Sequence, residues 1–277
     1  MIDKNQILQL LDEMSEKIEV IRQALGEETA VSELGEDLAM GDAPLYEPPM
    51  TLVGEEIVGG SETEDFADCC AIGDDTGYYC TGTLIAPTIV VTARHCESAT
   101  RVFFGNSIFA ANKGETIRVD RHYHHPEVDL MVLVLAESAT VKPRHVARGD
   151  EVYAAPSATV AGFGTVDYEG KVGYGRKRRV EVPIISIGCL QEDDNDRYGC
   201  LYGLEIVAGH RGLGLDSCKG DSGGPLYIKA QDCNDLYLLG ATSRGAKGSK
   251  RMCGDGGIYV RVDLCLEWIE QMTGVVI

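Results

Sequence analysis

The sequence predicts an all-β fold for most of the chain, a sandwich or a barrel, and three observations carry that expectation. From Ile57 onward, short β-rich runs alternate with clusters of Gly, Asp and Asn. Apolar residues make up 44% of the 277 residues, enough for a sizeable core in a length that all-β barrels routinely fill as one unit. The charge also divides there: residues 1–56 hold 14 acidic and 3 basic side chains, net −11, leaving −8 of the chain's −19 for residues 57–277.

Three segments follow. In residues 1–26, Ile7, Leu11, Met14, Ile18, Ile21 and Leu25 recur at steps of 4, 3, 4, 3 and 4, one apolar stripe of an amphipathic helix over 3–25 that Gly26 ends. That is heptad spacing over about three heptads, the minimum for a coiled coil. The helix either lies on its own globular body or binds a partner or a second copy. Residues 27–56 read as an acidic linker with Pro44, Pro48 and Pro49. In 57–277 the runs Thr83–Ile85, Ile89–Thr92, Arg101–Phe104, Leu130–Leu135 and Leu236–Thr242 read as strands, and Asp263–Met272 as a terminal helix.

Composition excludes some partners. A net charge of −19 opposes nucleic-acid binding, which needs clustered Lys and Arg. No stretch reaches the ~18 uninterrupted apolar residues of a membrane span. Charged residues interrupt every candidate signal segment at the N-terminus, so a cytoplasmic location is expected from that end. The ten cysteines point instead to an oxidising, extracellular compartment.

Three separated segments each supply one member of a nucleophilic relay. They are Val91-Thr92-Ala93-Arg94-His95-Cys96, then His125-Pro126-Glu127-Val128-Asp129-Leu130, then Asp216-Ser217-Cys218-Lys219-Gly220-Asp221-Ser222-Gly223-Gly224-Pro225. With Ile57-Val58-Gly59-Gly60, they make residues 57–277 resemble the chymotrypsin/trypsin family of serine proteases, whose order of His, Asp and Ser is the same. The resemblance implies two six-stranded antiparallel Greek-key β-barrels with a C-terminal helix.

It also implies a task for each residue. Ser222 would be the nucleophile, His95 its general base, and Asp129, buried before an apolar run, the anchor of the imidazole. The backbone N–H groups of Gly220 and Ser222 would form the oxyanion hole. Asp216, six residues before Ser222, would lie at the base of the primary specificity pocket and select substrates with Arg or Lys at the cleaved position. Ser243, Gly245 and Gly257 would line that pocket. Where the family usually has an aromatic residue the chain has Arg244, a cation expected to border the cleft and favour acidic flanking residues.

The same resemblance implies a precursor cut between Glu56 and Ile57, after which the new amino group of Ile57 pairs with Asp221. Glu56 is a poor fit to a pocket holding Asp216, so a different, activating protease is expected. The run Arg176-Lys177-Arg178-Arg179 corresponds to a flexible, self-nicked loop. Disulfides are implied between Cys80 and Cys96, Cys189 and Cys200, and Cys218 and Cys253. Cys69, Cys70, Cys233 and Cys265 find no family partner and read as packed thiols or further disulfides. His122, His124 and His125 fall on the approach to Asp129. No spacing completes a metal site or a calcium cage, and no cofactor is expected. Two other readings remain: a non-catalytic partner-binding protein on the same scaffold, and an esterase built on a Gly-x-Ser-x-Gly elbow, which the His–Asp–Ser order opposes.

Overall fold

The computed structural model describes residues 60–149, 151–229 and 235–277. The expected helix over 3–25, the linker 27–56, Glu56, Ile57 and Cys233 lie outside the described residues.

Thirteen strands and three short α-helices are described. They are β1 (Ser61–Glu62), β2 (Cys69–Asp74), β3 (Gly77–Ala86), β4 (Ile89–Thr92), β5 (Arg101–Phe104), β6 (Glu115–His124) and β7 (Met131–Leu135). There follow α1 (Glu151–Ala154), β8 (Ser157–Gly162), β9 (Arg178–Ile187), α2 (Asp194–Tyr198), β10 (Glu205–Ala208) and β11 (Pro225–Lys229). The chain closes with β12 (Leu236–Gly245), β13 (Gly257–Arg261) and α3 (Leu266–Thr273). The expected strand over 89–92 and that over 101–104 coincide with β4 and β5, and the terminal helix forms after a 3₁₀ turn over Asp263–Cys265.

Strands β2 to β7 close one antiparallel barrel in the order β2-β3-β4-β7-β6-β5. The second runs β9-β10-β13-β12-β11-β8 and closes where β8 pairs back onto β9, with the short β1 added outside β9. Alternation along each strand divides the apolar residues between two environments. Along β7, Met131, Leu133 and Leu135 fill the first barrel with Leu84, Val90 and Ile117. Val132, between them, faces the seam with Ile89 and Val91, against Leu238, Ala241 and Val260 of the second barrel. Val160, Val182, Ile206, Leu226 and Tyr259 fill the second barrel. Truncating a fully buried member such as Leu133 to Ala costs about 2–5 kcal/mol.

The seam also receives α3 through Leu266 and Ile269, and Trp268 sets its ring edge-on to His125 at 4.8 Å between centroids. The terminal helix thereby braces the loop that leads from β6 to β7.

One expectation is corrected here. The basic run 176–179 is not an open loop. Lys177 is 1% exposed and donates from Nζ to the Phe66 carbonyl at 2.9 Å, and Arg178 opens β9, buried and paired with Glu62. Strand pairing to β8 and β1 on either side claims the backbone that a protease would need. In the preceding Gly-rich loop the exposed cation is Lys171.

Candidate functional site

The site lies where loops from both barrels meet at the seam. Beyond β4, Arg94–Cys96 forms a single 3₁₀ turn carrying His95. Its two ends are fixed: Cys96 is joined to Cys80 on β3, and Arg94 Nη1 donates to the His125 carbonyl at 3.0 Å. The loop bearing Asp129 is folded by His125, whose Nδ1 accepts from the backbone N–H groups of Glu127 and Val128 at 3.2 Å each. Buried Val128 and Leu130 pin the residues on either side of Asp129.

Asp129 Oδ1 accepts from the His95 backbone N–H at 3.1 Å, and Oδ2 lies 2.9 Å from His95 Nδ1. A carboxylate can only accept, so the imidazole carries its proton on Nδ1 and leaves Nε2 as the basic atom. Ser243 Oγ donates to the same Oδ2 at 2.7 Å. Burial opposes ionisation of Asp129, but the bonds from His95 and Ser243 outweigh it and hold the carboxyl below the usual range. The bond to Asp129 raises the His95 pKa against the opposing effect of burial. Asp129 was expected to be buried. Its side chain keeps 22% exposure, because half-exposed His95 rather than the apolar run covers it.

Ser222 sits in the turn that follows Asp216. Its carbonyl accepts from Thr81 N–H at 2.9 Å, and Cys96 Sγ lies 3.8 Å from that oxygen. The latter is a contact, since a disulfide sulfur carries no proton. Gly223 N–H donates to the Thr242 carbonyl at 2.7 Å. The turn is thus wedged between β3, the His95 turn and β12, with Cys96, the chain neighbour of His95, in contact with the Ser222 carbonyl. Gly220 has φ +100°, a conformation that a side chain would strain, and its carbonyl accepts from Thr81 Oγ1 at 2.8 Å. With that carbonyl turned inward, neither Gly220 N–H nor Ser222 N–H has an acceptor among the described residues.

Asp216 is 4% exposed. Burial pushes its pKa up to about 6, against the N–H groups of Gly254, Ser217 and Gly256, which donate at 3.1, 2.8 and 3.0 Å. An ideal Cβ on Gly257 would stand 3.3 Å from Asp216 Oδ1, so the glycine keeps the space beside that carboxylate open. Asp221 is fully buried, and its carboxylate accepts from Gly164 N–H at 2.7 Å and Cys218 N–H at 2.8 Å. Burial raises its pKa to about 7, with Asp216 adding in the same direction.

The disulfides Cys80–Cys96, Cys189–Cys200 and Cys218–Cys253 form as expected, and Cys69, Cys70 and Cys265 are buried free thiols. Among the described residues, Cys80, His95 and Cys96 cluster as potential metal ligands, but the two sulfurs are bonded to each other and offer no thiolate.

Two features escaped sequence reasoning. Ser243, expected on the pocket wall, sits at a β-bulge between Thr242 and Arg244, which turns its hydroxyl onto Asp129. Arg244, expected as a free cation at the cleft, is instead bound by buried Glu205 at 2.7 Å through each Nη, and it donates to the Gly199 carbonyl and Ser243 Oγ. The available signal for Glu205 was a lone carboxylate in the apolar run Leu204–Ala208.

A protein-family model described as Trypsin matches residues 57–269. The chain is 32% identical to a trypsin of Saccharopolyspora erythraea over 240 residues, 77% of this chain and 98% of that protein. It is 29% identical to a trypsin of Squalus acanthias over 235 residues, 78% of this chain and 96% of that one. It is 30% identical to hypodermin-B of Hypoderma lineatum over 233 residues, 78% and 86% of the two chains. Two six-stranded barrels, the His95–Asp129 pair and these similarities lead to one conclusion: the chain belongs to the trypsin family and is a serine endopeptidase.

Proposed function

We propose that residues 57–277 cleave peptide bonds after Arg or Lys, with His95, Asp129 and Ser222 as the triad. The observation that carries the specificity is Asp216, a nearly buried carboxylate held by three backbone N–H groups beside Gly257, which pairs with Gly245 across the strands. A substrate guanidinium or ammonium completes that charge, whereas an apolar side chain leaves it unpaired.

In this mechanism Ser222 Oγ attacks the scissile carbonyl carbon while its proton passes to His95 Nε2. The carbonyl oxygen takes up the negative charge and accepts from Gly220 N–H and Ser222 N–H, each donor contributing about 3–4 kcal/mol. Asp129 stabilises the imidazolium. His95 then protonates the leaving amine, and the C–N bond breaks to give an acyl-enzyme. A water that loses its proton to His95 attacks the ester, releasing the acid and restoring Ser222.

The enzyme is made as a precursor. Cleavage between Glu56 and Ile57 by a second protease gives an ammonium for Asp221, a fully buried carboxylate that accepts from the N–H groups of Gly164 and Cys218. Segments 1–26 and 27–56 form the pro-region, and the helix over 3–25 offers a surface for a partner or dimer. Three disulfides support the extracellular alternative over the cytoplasmic expectation. No described helix is long and apolar enough to cross a membrane.

The test compares full-length protein with protein cleaved after Glu56, on matched peptides ending in Arg, Lys, Phe or Glu. Activity confined to the cleaved form and to Arg or Lys is expected. Equal activity on Phe would refute the specificity, and full activity before cleavage would refute the precursor.

A further inference from the structure

On the far side of the wall that holds Asp216 is a recess of about 330 Å³. Arg197, His210, Arg211 and Lys247 line it, together with Tyr198 and Asp255. We propose that this recess docks an acidic peptide segment that accompanies the Arg or Lys bound at Asp216.

The chemistry rests on charge left unbalanced. Arg197, Arg211 and Lys247 are exposed, and none forms an ion pair among the described residues, although residues 57–277 carry a net −8. Against these three cations the lining holds one carboxylate, Asp255, so with His210 neutral the concavity keeps an excess of two positive charges that attracts an anion. The lining acid, Asp255, is already engaged: it accepts from the N–H groups of Gly212, Lys250 and Arg251 at 3.0, 2.8 and 3.1 Å. In doing so it folds the turn from which Lys250 and Arg251, also exposed, extend. Glu192, Asp193 and Asp196 share the α2 loop but do not line the recess.

The lining is built rather than loose. Arg197 stacks over the Tyr198 ring at 5.2 Å, Arg211 Nη2 donates to the Gly248 carbonyl, and Lys247 N–H donates to the Tyr198 carbonyl at 2.7 Å. Such pre-ordering lowers the entropy lost when a carboxylate binds.

The recess and the primary pocket share one wall. Asp255 stands between Gly254 and Gly256, the two residues whose N–H groups hold Asp216, and Ala246 N–H donates to the Gly256 carbonyl at 3.0 Å. The part of a substrate that reaches it is therefore an acidic segment several residues from the bound Arg or Lys, passing around that wall. Two observations favour a peptide. The recess accommodates one or two side chains, and the −8 of residues 57–277 opposes an extended polyanion such as a nucleic acid or a sulfated polysaccharide more than a short acidic segment. Arg244 cannot supply this preference, since Glu205 already neutralises it.

The inference rests on the proposed role of Asp216, and two readouts separate their failures. The first is binding of a ten-residue Glu-rich peptide lacking Arg and Lys to the full chain carrying Ser222→Ala, cleaved after Glu56 by added protease. Binding is expected to weaken about fivefold in Lys247→Glu, at least tenfold in Arg197→Glu/Arg211→Glu, and strongly with added salt. Absence of binding, equal binding by the variants, or binding of heparin but not peptide overturns the inference. The second readout is hydrolysis by the cleaved active chain. The variants should leave a short, uncharged-flank Arg amide unaffected and lower kcat/KM about tenfold on its acid-flanked counterpart. Equal losses on both substrates overturn the docking role. If the short Arg amide is not hydrolysed even by the unsubstituted protein, the primary specificity has failed, while peptide binding still judges the recess.

Discussion

Arg244 and Glu205 meet across the strand between them, with both guanidinium Nη atoms 2.7 Å from carboxylate oxygens. Glu205 opens β10 and Arg244 is the penultimate residue of β12, and β13 runs between. A lone carboxylate at 1% exposure would be costly, so the arginine makes its burial tolerable. Arg244→Met should destabilise the fold by about 2–3 kcal/mol, less than for a fully buried pair because Arg244 keeps 41% exposure. Arg244→Met/Glu205→Met should recover most of that loss in thermal unfolding. Because Arg244 also donates to Ser243 Oγ at 3.1 Å, it directs that hydroxyl's proton to Asp129. Both variants should therefore lose roughly fivefold in kcat, which Arg244→Lys restores only in part; unchanged kcat in both would remove the orienting role.

Asp129→Asn should lower kcat/KM on the order of 10⁴-fold without unfolding the chain. The new amide donates where the carboxylate accepted, which forces His95 into the wrong tautomer. The pH profile carries the sign. His95 works when neutral and its pKa is raised by Asp129, so wild-type activity falls as pH drops through that raised value. The acid limb of the variant should lie at lower pH; an unmoved limb would mean that Asp129 does not set the His95 pKa.

For Arg substrates, binding should depend on pH through Asp216. Its carboxyl ionises with a pKa of about 6, so KM should rise about tenfold per unit as pH falls below 6. Asp216→Asn should lack this dependence and lose about 10³–10⁴-fold in kcat/KM on Arg peptides. Steady-state measurements of kcat and KM separate this effect from the limb belonging to His95.

Asp221 couples stability to pH. Its folded pKa of about 7 lies above the ordinary 3.8, so the folded state holds a proton that the unfolded state has released. Stability of the uncleaved chain should therefore fall as pH rises from about 4 to 7. Asp221→Asn, which cannot ionise, should gain on wild type by on the order of 2–4 kcal/mol between pH 4 and pH 7, from a lower starting point because its amide nitrogen gives up one of the two N–H bonds that the carboxyl accepts. Cleavage after Glu56 should abolish the difference by supplying an ammonium. Parallel denaturation curves at pH 4 and 7, with no gain in the variant, would contradict the raised pKa.

Much of this could be read before folding. Short β-rich runs gave strands such as 89–92 and 101–104, because period-2 burial and β-branched residues are local properties. The segments around His95, Asp129 and Ser222 each carry their chemistry in a few consecutive letters, and the cysteine pairs followed from the resemblance those letters support. The run 176–179 was misread because composition reports charge, not strand pairing: burial of Lys177 depends on Phe66, more than a hundred residues away in sequence.

What the sequence determined by itself was the chemistry available: a histidine, a carboxylate and a serine in the family's order, and Asp216 among glycines. What only the tertiary structure decided was which charges remain free. Glu205 and Arg244 are 39 residues apart in sequence and become partners because β10 and β12 flank β13. Arg197 on α2 and Arg211 and Lys247 on two separate loops share a recess whose one lining carboxylate, Asp255, leaves them in excess. Electrostatic interactions act through distance in space, and no local pattern in sequence encodes that distance.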